Sequence, residues 1–221
     1  MQGLPHRRIV VINPNSLQET TAAIEHAVTV FSGFPLEIVC KTSHDGPPGI
    51  QTQSEADDAV APLVKLATQT ARDADAIVIA CFSDPGLHGL RERLAIPVLG
   101  IGESAMLVAL ATAQRIGVIA IAEASIVRHH RYFSAMGIIG RLAGERALNM
   151  QVRELADVKS TQRRLIEVGR QLKEIDGAGV LVLGCAGMAS LRAAVEDETG
   201  LPVVEPTQAA VSLAIGRMRL C

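Results

Sequence analysis

Ala76-Ile77-Val78-Ile79-Ala80-Cys81 and Gly179-Val180-Leu181-Val182-Leu183-Gly184-Cys185 are two apolar runs that each end on a cysteine, the second cysteine following the first by 104 residues (185 − 81). Apolar runs of this length, without polar alternation, read as strands buried on both faces. Two further pairs keep the same order and nearly the same spacing. Arg8-Ile9-Val10-Val11-Ile12 resembles Arg115-Ile116-Gly117-Val118-Ile119, and Ile96-Pro97-Val98 resembles Leu201-Pro202-Val203. Each match alone is weak, because apolar strands look alike. Together, in one order, they indicate an internal duplication.

Working outward, strands are expected at Ile9–Ile12, Ile77–Ala80, Val98–Ile101, Ile116–Ile121, Val180–Leu183 and Val203–Val204. Helical patterns run through Glu19–Phe31, Glu55–Arg72, Glu103–Ala113, Val127–Met136, Thr161–Ile175, Ser190–Thr199 and Thr207–Arg217. Pro62 is expected to kink or interrupt the second of these. Buried strands alternating with helices define an α/β fold with parallel sheets. Each half reads as strand, helix, strand with a terminal cysteine, short helix, Pro-led strand, helix. The expected division is an N-terminal lobe of residues 1–97 plus 207–221 and a C-terminal lobe of residues 98–206, related by a pseudo-twofold axis with a cleft between them.

Composition narrows the partners. The 221 residues are 48% apolar and 20% charged, with a formal net charge of -2 and no basic tract. One Tyr, four Phe and no Trp leave no aromatic platform for stacking bases, so nucleic acid is not an expected partner. No segment reaches the roughly 18 apolar residues of a membrane span, and the polar start, Met1 to Arg8, lacks the apolar stretch of a signal peptide. A cytoplasmic protein that does not engage membrane is expected. An assembly of like chains is also expected, although no residue pattern sets its order.

The four cysteines, Cys40, Cys81, Cys185 and Cys221, are not paired at the spacing of a zinc knuckle or a thioredoxin motif. Cys40 and Cys221 read as small buried hydrophobes. The duplication sets Cys81 and Cys185 apart. Ligands of open parallel sheets bind beyond the carboxyl ends of the strands, where both thiols fall. Two lobes facing one cleft would bring the sulfurs to opposite sides of one substrate. That is the geometry for inverting a carbon centre, one group removing a proton from one face while the other supplies a proton to the opposite face.

The loops after the thiols, Cys81-Phe82-Ser83-Asp84-Pro85-Gly86-Leu87 and Cys185-Ala186-Gly187-Met188-Ala189, are each expected to pass through a tight turn into a helix. A helix N-terminus would lower a thiol pKa and offer N–H donors to a developing enolate oxygen. Gly187, lacking Cβ, would let backbone approach a ligand. In Ile12-Asn13-Pro14-Asn15-Ser16, Asn15 or Ser16 serves equally as a helix cap or as a substrate contact. Ser125, in the equivalent loop of the other half, is a further candidate contact. Thr42–Gly49 reads as a lid for the cleft or as a plain connecting loop. Gly100-Ile101-Gly102-Glu103 lacks the third glycine of a dinucleotide fingerprint and is not read as one. His129-His130 reads as a solvated helix face, and no histidine spacing calls for a metal.

With these marks the chain resembles the hydantoin racemase family, which includes allantoin racemases, within the wider aspartate/glutamate racemase superfamily. The resemblance covers nearly the whole length. It rests on Ile12-Asn13-Pro14-Asn15, Gly46-Pro47, Cys81 to Leu87, Arg91-Glu92, Pro97-Val98-Leu99-Gly100-Ile101 and Leu183-Gly184-Cys185-Ala186-Gly187-Met188. It implies two lobes, each with a central, mostly parallel four-stranded sheet, and a two-thiol mechanism with no cofactor and no metal. Cys81 and Cys185 become the catalytic pair. Asn15, Ser83 and the backbone of Phe82, Ala186 and Gly187 become candidates for holding a small neutral ring. Glutamate racemases follow their second cysteine with Thr-His and open on an Asp-Ser-Gly loop. Ala186-Gly187 and Asn13-Pro14-Asn15 stand here instead, which favours a neutral hydantoin ring over a free amino acid. Other superfamily chemistry (amino-acid racemase, arylmalonate decarboxylase, maleate isomerase) and a non-catalytic two-lobed binder are the alternatives.

Overall fold

In a computed structural model the described residues are 7–151, 154–155 and 157–220, so Cys221 and the first six residues lie outside them. The first half forms a four-stranded parallel sheet from β1 (Arg7–Asn13), β2 (Leu36–Thr42), β3 (Ala76–Ile79) and β4 (Val98–Gly100), in the order β2-β1-β3-β4. The second half repeats it with β5 (Ile116–Ala120), β6 (Leu142–Ala147), β7 (Val180–Leu183) and β8 (Val203–Val204), in the order β6-β5-β7-β8. The duplication seen in the apolar runs is therefore one of topology. Val98 pairs with Ile77, so the first sheet extends to Gly100, past the lobe boundary expected after residue 97.

Of the inner strands, β3, β5 and β7 are buried along their whole length and β1 from Ile9 onward. β2 and β6 are edge strands with mostly half-exposed residues. Their mixed sequences, Leu-Glu-Ile-Val-Cys-Lys-Thr and Leu-Ala-Gly-Glu-Arg-Ala, follow from that exposure and explain why no apolar run announces them, whereas β4 and β8 at the opposite edges are buried and apolar.

Nine helices among the described residues cover the sheets: α1 (Gln18–Val28), α2 (Gln53–Asp58), α3 (Val60–Thr70), α4 (Leu87–Arg93), α5 (Ile101–Thr112), α6 (Glu123–Ala135), α7 (Val158–Glu174), α8 (Arg192–Thr199) and α9 (Pro206–Leu220). The helix expected over Glu55–Arg72 is divided at Ala59. The Pro62 ring crowds the carbonyl four residues back, at Asp58, and the helix breaks there. α6 begins a turn before the expected Val127.

The two lobes exchange helices. After β4 the chain enters α5, whose Ala105, Met106 and Ala109 pack with Ile116, Val118, Val180 and Val182 of the second sheet. After β8 it returns through α9, whose Ala210, Val211 and Ala214 pack with Ile9, Val11, Ala76 and Val78 of the first. Each sheet thus borrows a helix from the end of the other half, which fixes the lobes face to face. No helix among the described residues is long and apolar enough to cross a membrane.

Candidate active site

In both sheets the strand order reverses direction between the first and third strands of the half, β1/β3 and β5/β7. The loops leaving those strands must part there and open a crevice at their carboxyl ends. All four converge on one cleft, lined by Asn15 and Thr20 after β1, by Ala80 to Ser83 after β3, by Ile121, Ser125, Arg128 and His129 after β5, and by Gly184, Cys185 and Ala186 after β7. Ile50 closes one side. The cleft is narrow: about 30 Å³ is free at its centre, and about 450 Å³ only when the mouth open to solvent is counted.

Cys81 and Cys185 share this cleft, one from each lobe. Asn15, Phe82, Ser83, Ser125 and Ala186 line it with them; Gly187 does not, and its backbone N–H faces the Cys185 sulfur instead. Asn15 caps its own loop, its Oδ1 accepting from Asn13 Nδ2 and the Leu17 N–H, both at 3.0 Å. That leaves the amide NH₂ to face a ligand. Ser125 Oγ donates to the Gln51 carbonyl at 3.3 Å.

The thiols differ from expectation in electrostatics. Cys81 enters a turn, closed by Asp84 N–H to the Cys81 carbonyl at 2.9 Å, and α4 starts only at Leu87. The Cys81 sulfur therefore does not sit at the start of α4. Cys185 does precede a helical segment, a 3-10 turn over Ala186–Leu191. Burial is the largest influence on both and raises both thiol pKa values. The Ser83 N–H and the Arg128 guanidinium pull Cys81 back down. Cys185 is pushed up to about 11, by burial first and then by the charges of Cys81 and Glu205, against one lowering contact from the Gly187 N–H. Charging Cys185 at pH 7 therefore costs on the order of 5 kcal/mol. The thiols rest protonated, with a cation on the Cys81 side and a carboxyl group on the Cys185 side.

Four groups of the site were not found from sequence. Arg128 is 8% exposed and donates through Nη1 to the Gln51 carbonyl at 3.0 Å. His129, expected on a solvated face, is buried: Nδ1 lies 2.5 Å from Glu145 Oε1 and the ring meets Phe82 edge to face at 5.1 Å. His130, its neighbour, is half-exposed, as the helical turn between them requires. Asp84 accepts from the Gly102 and Glu103 N–H groups and from the Tyr132 hydroxyl. Its φ of +46° is a left-handed conformation that Asp tolerates better than most residues. Glu205 is buried and caps α9 through the Gln208 N–H.

Thr42–Gly49 stays on its own lobe, bound by Ser43 N–H to the Asn13 carbonyl and Ser16 N–H to the Pro47 carbonyl. The next segment crosses the cleft. Gln51 meets Ser125, Arg128 and the Met150 carbonyl, and Gln53 Oε1 accepts from Arg131. Cys40 lies half-buried on β2 against the first core, its thiol pushed up to about 12 by burial and then by Glu25. Among the described residues no group of three or more His, Cys, Asp or Glu is placed to hold a metal ion.

Two like α/β lobes with a thiol presented from the same strand end of each define a two-lobed protein of the racemase type. The Asp/Glu/Hydantoin racemase family model matches residues 9–214, and the chain belongs to that family; its relatives named hydantoin racemase and allantoin racemase are isomerases. A hydantoin racemase of Rhizobium meliloti is 36% identical over 211 residues, covering 93% of this chain and 86% of the relative. Among solved structures, an allantoin racemase from Klebsiella pneumoniae is 30% identical with a TM-score of 0.89, over 97% of this chain and 88% of that one. An allantoin racemase from Pseudomonas fluorescens is 28% identical with a TM-score of 0.92, over 96% and 91%.

Proposed function

We propose that this protein racemises 5-substituted hydantoins, allantoin among the candidates, through Cys81 and Cys185 and without a cofactor. The observation that carries the reading is that equivalent strand ends of two like sheets deliver one thiol each into a single small cleft. The C5 proton of a hydantoin lies between a carbonyl and a ring nitrogen, so its removal gives an enolate delocalised into the ring. One sulfur, as thiolate, takes that proton and becomes a thiol. The electron pair moves onto the ring carbonyl oxygen, where the Asn15 amide and the Ser83 and Ser125 hydroxyls are the nearby polar groups. The other thiol then protonates C5 from the opposite face and becomes the thiolate. Atoms and charge balance, and the two sulfurs have exchanged roles.

Burial supports this despite its cost. A desolvated thiolate is a stronger base than a solvated one, and its raised pKa reduces the mismatch with a carbon acid. Unpaired thiols at the centre of the reaction suit a reducing compartment, and we place the enzyme in the cytoplasm. The test is to incubate single enantiomers of allantoin, 5-isobutylhydantoin and 5-benzylhydantoin with the protein and follow optical rotation. Rotation should decay to zero for at least one ring, faster than without enzyme. Decay no faster than the uncatalysed rate for all three would reject the reading.

A further inference from the structure

Arg128 sits in the cleft wall beside Cys81 and is 8% exposed. A buried guanidinium is costly unless its donors are taken up by carboxylates or carbonyls. Among the described residues this one makes a single hydrogen bond, Nη1 to the neutral Gln51 carbonyl, and its buried Nε has no partner. Neither of the two carboxylates whose charge acts on it, Glu145 and Glu55, hydrogen-bonds to it among the described residues. Glu145 is held through Oε1 by His129 at 2.5 Å, and its buried Oε2 makes no hydrogen bond, to Arg128 or to any other described residue. Glu55 accepts from the Gln51 and Thr52 N–H groups at 2.7 and 2.8 Å as part of the cap of α2. What remains is the Nε–Nη2 edge, the face of the side chain whose parallel donors match a carboxylate.

We propose that Arg128 selects ring substrates whose 5-substituent ends in a carboxylate, held through the guanidinium edge that no protein group occupies. The inference rests on the hydantoin reading above and specifies its substrate class: the ring stays neutral and the charge lies on the substituent. It also answers an electrostatic need. A carboxylate entering next to Cys81 would oppose a thiolate there, and the guanidinium lets the two negative charges share one site. The lowered pKa of Arg128, caused first by its burial, fits a cation that lacks a full counter-charge until substrate arrives.

The experiment compares an acid with its neutral isostere, hydantoin-5-acetate against hydantoin-5-acetamide, by C5 proton exchange and inversion in heavy water. A charge-assisted hydrogen bond is worth roughly a tenfold preference or more, so kcat/KM for the acid should exceed that for the amide by about tenfold or more, mainly through KM. In Arg128→Met the acid-to-amide ratio should fall to within about threefold of unity, and Arg128→Lys should retain part of it. Because the ratio is internal to each variant, a general loss of folding does not imitate the result. Turnover of both compounds with no preference for the acid in the unaltered protein would overturn the Arg128 assignment alone. A preference that survives in Arg128→Met would overturn it as well. Absence of exchange with both compounds and with 5-isobutylhydantoin would overturn this assignment together with the hydantoin reading.

Discussion

The carboxylate of Asp84 occupies the space that a side chain on Gly100 would fill, and from there it accepts the Gly102 and Glu103 N–H groups at 2.9 and 2.7 Å. The residue three positions after Cys81 thereby caps α5, the helix that the first half lends to the second. The turn that aims the sulfur is tied to the element that joins the lobes. Tyr132 of α6 adds a third donor at 2.8 Å.

This makes Gly100 and Asp84 a pair that tolerates little change. Gly100→Ala puts a methyl group inside the Asp84 carboxyl, and Asp84→Asn replaces one acceptor oxygen by a donor facing backbone N–H groups. Each is expected to destabilise the fold by about 2–4 kcal/mol and to displace the Cys81 turn. Chemical denaturation measures this; a loss below about 0.5 kcal/mol in both variants would contradict the capping role.

The same pair shows what was legible in the sequence. The Gly-x-Gly spacing at Gly100 and Gly102 was visible, and its likeness to a dinucleotide loop was set aside. Its reason was not visible, because the carboxylate that needs the space is 16 residues earlier (100 − 84) on another element. The duplicated topology was readable because the inner parallel strands carry continuous apolar runs, and β2 and β6 escaped because their half-exposed positions mix polar with apolar residues, unlike β4 and β8 at the opposite edges. Asn15, Cys81, Ser125 and Cys185 could be placed because strand ends at the reversals of sheet order point to one crevice. Arg128 and His129 could not, since a single polar residue on a helix looks the same whether its side faces water or a cleft.

His129 and Glu145 form a buried contact whose loss is asymmetric. The Glu145 side chain is fully buried and its other neighbour, His130, is 3.7 Å away, so His129→Ala leaves the buried Oε1 without its hydrogen bond and is expected to cost about 1–3 kcal/mol. His129→Gln, which keeps a donor, should cost less. Denaturant midpoints at constant slope decide it, and a His129→Ala loss under about 1 kcal/mol would show that the contact contributes little.

Glu205 gives stability a pH signature. Burial lifts its carboxyl from an ordinary value of 4.5 to about 7, so the folded chain holds that proton more tightly than the unfolded chain. The stabilisation is complete below about pH 4.5 and is lost as pH rises through about 7. Other carboxylates contribute in the opposite direction, so the measurement is the difference between the wild type and Glu205→Gln. The Tm of the variant should gain on the wild type between pH 5 and 8. A difference independent of pH would contradict a raised Glu205.

The thiols should be sluggish nucleophiles at neutral pH. With Cys185 pushed up to about 11, its alkylation by iodoacetamide in Cys81→Ser should climb about tenfold per pH unit from 7 to 9 without a plateau. A plateau near pH 7 would mean a sulfur ionised at rest.

The two-thiol mechanism is tested most directly by one enantiomer of a turned-over hydantoin in heavy water, sampled early, with the wild type, Cys81→Ser and Cys185→Ser. Two sulfurs on opposite faces of C5 predict that the inverted isomer carries one deuterium while the unconverted isomer keeps its hydrogen. They also predict that each variant loses inversion by about 100-fold or more. Deuterium appearing at equal rates in both isomers with the wild type, or inversion undiminished in either variant, would contradict it.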